Sequence, residues 1–193
     1  MGLRAIQKSK AAQSALWIMA TALWLVSVNS QAQAQPAPCD VESSKTVAYS
    51  AIDSRDTLTV RVAGTPCSKA QVSIRVTTEA GNEIYAYTGE FIKHMPYMIY
   101  EPELNNLVQF FVDKVISGAV SRTTDNLPEY TDKDAFYEAN NDYLMIPVTD
   151  YDKLRQEARP ILWHITGEST WVHHVYDPEA GGSIKIMRGG VFY

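Results

Sequence analysis

The chain has 193 residues, 46% of them hydrophobic, with 22 acidic and 17 basic side chains and a net charge of -5 at pH 7. Arg4, Lys8 and Lys10 are the only charged groups in the first 34 residues, so without that segment 14 basic groups stand against 22 acidic ones, a net charge near -8. That balance excludes a broad basic surface of the kind that holds nucleic acid, and the 159 residues that follow suit one domain with a real core better than two.

Residues 1–34 read as a cleaved signal peptide. The basic start is followed by an apolar stretch from Leu16 to Val28, and Ala32-Gln33-Ala34 places small residues where a signal peptidase inspects the chain. The apolar stretch is short against the roughly 20 residues of a membrane span, and polar Gln/Ala sequence follows it rather than a basic stop-transfer flank. The segment resembles the leaders of exported bacterial proteins. Cleavage leaves a chain beginning near Gln35, located in the periplasm or secreted, with no stable membrane insertion; an uncleaved amino-terminal anchor is the alternative. Cys39 lies too far beyond the apolar core for a lipoprotein cysteine.

In an oxidising compartment Cys39 and Cys67 form the expected disulfide, pinning the mature amino terminus to the first sheet. Redox sites more usually place their cysteines close together, as Cys-x-x-Cys.

From Val41 to Phe91 the pattern is one of short strands. Thr57 to Val62 alternates polar and apolar residues, Gly64-Thr65-Pro66 interrupts, and Gln71 to Val76 alternates again. Glu79-Ala80-Gly81-Asn82 predicts a turn before Glu83 to Thr88, a hairpin whose Tyr85 and Tyr87 share one face. His94 to Tyr100 is a soft, aromatic run that covers the end of the core or lines a groove, and Pro102 is placed to open a helix. Leu104, Leu107, Val108, Phe111, Val112, Val115 and Ile116 then recur at three and four positions. They define an amphipathic helix of about four turns ending near Gly118.

Between Ser121 and Asp142 the composition turns polar and acidic. Asp132-Lys133-Asp134 begins like a calcium loop, but the following residues lack the central Gly and terminal Glu of that motif, so a short helix over Asp132 to Ala139, with Phe136 and Tyr137 touching the core, is expected instead. Tyr143 to Val148 predicts a strand with Pro147 at an edge or exit. Thr149 and Asp152 suggest a cap for a short peripheral helix through Glu157, stopped by Pro160.

The carboxy-terminal residues suggest a hairpin of Ile161 to Thr166 and Thr170 to Tyr176 around Gly167-Glu168. A second turn over Asp177 to Gly182 leads to a final strand from Ser183 to Tyr193, with a bulge expected at Gly189-Gly190. Period two puts Trp171, His173 and Val175 on one face and Val172, His174 and Tyr176 on the other. Adjacent histidines that point apart are poorly placed to share a zinc ion, so no metal site and no cofactor are expected.

The fold class expected is α+β: a single small domain, mainly one antiparallel sheet packed against the principal helix. No nucleophile elbow, His-Glu-x-x-His helix or phosphate loop is present. The function expected is a non-catalytic exported binding or inhibitory module acting on another exported protein or envelope component. Its candidate binding residues are Trp163, His164, Trp171, His173 and Tyr176. The alternative is a small metal-dependent or acid/base hydrolase using the carboxy-terminal histidines and nearby carboxylates, which requires His164 to converge with His173 or His174 in a cleft. In a third version the apolar helix is the interface of a structural subunit.

Overall fold

In a computed structural model that describes residues 39–94, 101–129, 142–167 and 169–190, the alternating segments of the first half pair as a four-stranded antiparallel meander. Its strands are β1 (Cys39–Val47), β2 (Asp56–Gly64), β3 (Gln71–Thr77) and β4 (Glu83–Glu90). Leu58, Val60 and Val62 of β2 pair with Val76, Ile74 and Val72 of β3, so all six point to one face and are buried. Each such aliphatic side chain contributes about 1.5–3 kcal/mol on burial. Gly81, with φ at 85°, supplies the left-handed residue of the β3–β4 turn.

The helix α1 (Glu101–Gly118) closes this face, lying against β1 and β2. Leu104, Val108, Phe111, Val112 and Val115 are buried, as the spacing predicts, and Phe110 is exposed. The apolar stripe is therefore covered within the monomer, which counts against the version in which this helix is a subunit interface. Pro102 sits one residue inside the helix start. Cys39 and Cys67 are disulfide-bonded, with Cα atoms 5.1 Å apart, and join the first residue of β1 to the short 3-10 turn Cys67–Lys69 after β2.

The remaining strands form a second sheet, and here the expectation of one main sheet is corrected. The strands β5 (Arg122–Thr123), β6 (Asp142–Leu144), β7 (Pro160–Gly167), β8 (Thr170–Asp177) and β9 (Gly182–Gly190) run in the order β5-β7-β8-β9-β6, each neighbouring pair antiparallel. β4 lies beside β9, but the link is made by a side chain: the Ser183 hydroxyl donates to the Ile84 carbonyl (2.7 Å) and accepts from the Tyr49 hydroxyl (2.7 Å). Tyr49 is held in turn by the buried Asp56 carboxylate, which accepts from the amides of Tyr49 (3.1 Å) and Ser50 (2.6 Å) and from the Ser54 hydroxyl (2.7 Å). The result is a small α+β domain with two antiparallel sheets and two helices.

The second helix, α2 (Val148–Glu157), ends at Glu157 as its sequence reading has it but differs in its cap. Pro147, not Thr149, is the N-cap and makes no side-chain bond, while Ala158, with φ at 50°, terminates the helix in the left-handed region. α2 is less peripheral than its polarity suggests, because Tyr151 and Leu154 are buried and the Tyr151 hydroxyl donates to the Pro128 carbonyl (2.8 Å). β6 has three residues rather than the six expected, and it is an edge strand. The register shift in the last hairpin falls between His173 and His174, opposite Met187 and Lys185, rather than at Gly189-Gly190. The expected signal peptide, Met95 to Tyr100, the segment from Asp132 to Ala139 with Phe136 and Tyr137, Glu168 and the last three residues lie outside the described residues. Among the described residues no helix is long and apolar enough to cross a membrane.

Candidate functional site

Strand alternation divides the five candidate residues between two environments. In the β7–β8 register Trp163 opposes His173 and His164 opposes Val172, so Trp163, Trp171 and His173 share one face of the second sheet. His164, His174 and Tyr176 occupy the other face. His173 and His174 do point apart, as period two requires.

The inward face meets the first sheet. Tyr85 opposes Val76 and Tyr87 opposes Ile74, which turns both phenols toward the core and toward the histidines of β7 and β8. The Tyr85 hydroxyl bonds His164 Nε2, and His164 Nδ1–H donates to the Ile165 carbonyl (2.9 Å), which fixes a neutral ring with its proton on Nδ1. His174 stacks parallel to His164 at 6.3 Å and packs edge-on to Tyr85 at 4.8 Å. Tyr87 lies 3.1 Å from His94 Nε2 and 3.2 Å from the Thr166 carbonyl, while His94 Nδ1–H donates to the Glu90 carbonyl (2.8 Å). Gly89 leaves the space: a Cβ there would run into the Tyr87 hydroxyl and the His94 ring.

The histidines of this cluster and Tyr85 are buried, while Tyr87 is half-buried. His164 is fully buried, and burial pulls its pKa down to about 4 from 6.5 and that of His174 to about 3. Burial also raises the Tyr85 phenol and, by a smaller amount, that of Tyr87. The rings are therefore neutral at pH 7; His164 and His94 are bonded to a tyrosine and to backbone, whereas His174 makes ring contacts only and its Nδ1 has no hydrogen-bond partner among the described residues. Two of the histidines required by the hydrolase alternative do meet here, His164 and His174, but inside the core. Among the described residues no group of three or more His, Cys, Asp or Glu side chains is arranged to hold a metal ion. We expect Tyr85→Phe, which leaves His164 Nε2 unpaired in the core, to cost about 2 kcal/mol in urea denaturation at pH 7.5; an unchanged midpoint would show that the bond contributes nothing.

The outward face is open. Near its Ile161 and Val175 end the sheet packs against Leu127, Tyr151 and Leu154. A ten-residue helix such as α2 is only about 15 Å long, against about 26 Å for an eight-residue strand, so it covers part of the strand length. Beyond it lies a cavity of about 500 Å³ lined by Trp163, Trp171, His173, Met187, Arg122 and Leu127 among others, with no Asp or Glu among the described residues of its wall. The His173 and Trp171 rings are 4.6 Å apart, and His173 is 7% exposed with no hydrogen-bond partner for Nδ1. Burial, with Arg122 beside it, holds the His173 pKa down to about 4.

A second cleft, of about 710 Å³, lies toward Tyr87, Thr166, Thr170, Lys185 and Arg188 and shares Trp171 with the first. Among the described residues of its lining there is likewise no carboxylate. Tyr176 belongs to neither: it packs against the first core and lines a shallower hollow with Tyr49, Arg159 and Pro178.

Sequence reasoning thus singled out three of the residues lining the cavity and missed Arg122, Leu127 and Met187. A two-residue strand such as β5 has no periodicity to betray it. The Tyr85, Tyr87, Gly89 series at period two was a legible signal for the buried cluster, with the small residue marking close approach. Comparisons of the chain with protein-family models, with curated proteins and with solved structures return no match.

Proposed function

We propose that the protein is an exported, non-catalytic binding or inhibitory module of the bacterial envelope or extracellular space, acting through the outward face of its second sheet. The observation that carries this reading is the concentration of Trp163, Trp171 and His173 around one cavity of about 500 Å³, within the usual range for ligand sites. Tryptophan supplies large apolar contact area with few rotatable bonds, which favours it at binding hot spots. The disulfide Cys39–Cys67 supports an oxidising compartment and thus export. Catalysis receives no such support: the histidines that meet are buried in the core, and the described residues of the clefts lined by Trp171 include no carboxylate for acid/base work.

The experiment has two parts. The full chain, produced in its own organism, should be recovered from the periplasmic or culture fraction with its amino terminus at Gln35; a product retaining Met1 to Ala34 overturns the export reading. Affinity capture from those fractions should then retain a partner that a Trp171/His173 double-alanine variant loses at least tenfold. Equal retention by both forms removes this face from the function.

A further inference from the structure

The cavity beside Trp163 and Trp171 is selective in its charges as well as its shape. In a chain with five more acidic than basic residues, the described residues of its lining include Arg122 and no acid, and those of the adjoining cleft include Lys185 and Arg188 and no acid. Exposed carboxylates elsewhere pair with arginines, as in Arg61 with Asp40 and Arg75 with Glu83, yet no carboxylate of a described residue pairs with Arg122. Arg122 thus lines an aromatic cavity, and its charge is unmatched among the described residues.

The other walls restrict what fits there. Trp163 and Trp171 offer indole rings, Met187 and Leu127 are apolar, and Ile161 lies behind them. Such walls favour a flat, apolar body by stacking and dispersion. His173 adds one polar group that is more than nine-tenths buried and whose Nδ1 is unsatisfied, at a cost of about 1–3 kcal/mol; the Nδ1 of His174 is unsatisfied too, but His173 alone of the two lines this cavity. A neutral imidazole next to a guanidinium is suited to a carboxylate: Arg122 supplies the opposite charge, and the ring can gain a proton as an anion enters.

We infer that this cavity binds a small planar aromatic carboxylate, its ring between the tryptophans and its anionic group toward Arg122 and His173. This rests on the binding-module reading above and gives that module its ligand class. A cationic ligand is disfavoured by Arg122, and an aliphatic acid leaves the indole faces without a flat partner. The volume limits the occupant to about the size of a one- to three-ring compound.

The test uses the exported, oxidised protein and three probes of one shape: 2-naphthoate, neutral 2-naphthamide and cationic 2-naphthylmethylamine. Calorimetry should show 2-naphthoate binding at least tenfold more tightly than either analogue. Arg122→Gln should remove most of that preference while leaving naphthamide binding within twofold, and Trp171→Leu should weaken all probes at least fivefold. Trp163 and Trp171 are the only tryptophans beyond residue 34, so their emission reports ligand entry directly.

Equal affinity for the three probes, no binding of naphthoate, or naphthoate binding that survives Arg122→Gln overturns the assignment. If naphthoate fails but a protein partner is still lost with the Trp171/His173 variant, the ligand class falls and the binding module stands; if both fail, both fall.

Discussion

Between pH 6.5 and pH 4 the domain should lose several kcal/mol of stability, the largest effect expected of any single variable. All four histidines of the chain are buried, and none has a carboxylate of a described residue as hydrogen-bond partner. Burial holds His164 and His173 down to about 4 and His174 to about 3, and it lowers His94 as well. In the unfolded chain each titrates near 6.5. As the pH falls through 6.5 the unfolded state takes up protons that the folded state refuses, so stability is complete above about pH 7 and declines until the folded rings themselves titrate.

Holding one ring neutral down to 4 corresponds to about 3 kcal/mol, and two or three such rings represent a large part of a typical 5–15 kcal/mol stability. The four sites differ in how they accommodate a proton. His94 Nε2 could donate to the Tyr87 oxygen, whereas a charged His174 would stack against His164 with Lys185 nearby. Urea denaturation at pH 7.5, 5.5 and 4.5 should therefore show a steep fall in midpoint, and His174→Leu should flatten it. Midpoints that agree at all three values would show that the histidines titrate normally and that the cluster is open to water.

Removal of the disulfide is the second large effect. Cys39 and Cys67 are both buried and 28 residues apart, and the bond closes a loop around β1 and β2. Chain-entropy arguments give about 3–4 kcal/mol for a closure of that length. The double variant Cys39→Ala/Cys67→Ala avoids burying hydroxyls, so its loss should approach this value and appear as a decrease on the order of 2 M in urea midpoint. The reduced wild-type protein should behave alike, and the variant should ignore reductant. A reduced protein as stable as the oxidised one would mean that the α1 packing against β1 already fixes the amino-terminal strand.

His173 apart, both predictions concern the first core and its boundary with the second sheet, which sequence alone described unevenly. β2, β3 and α1 were legible because each buries one side only: Leu58, Val60 and Val62 announce a period of two, and Leu104, Val108, Phe111 and Val115 one of three to four. The disulfide was legible because two cysteines in a chain read as exported have one intramolecular pairing. The opposition of His173 and His174 follows from strand geometry.

Partnership is a different matter. Periodicity says which face of a strand is apolar but not which strand lies beside it, so the division into two sheets, the placement of β5 beside β7 and the side-chain link from Ser183 to Ile84 appear only once the chain is folded. The same limit separated the five candidate residues. Neighbours in sequence, Trp163 and His164 fall on opposite faces, one beside a cavity with Arg122 and the other sealed against Tyr85. Local sequence determined the elements and their faces, because backbone geometry and burial act over a few residues; the tertiary structure decided what those faces meet, because that depends on contacts between residues far apart in the chain.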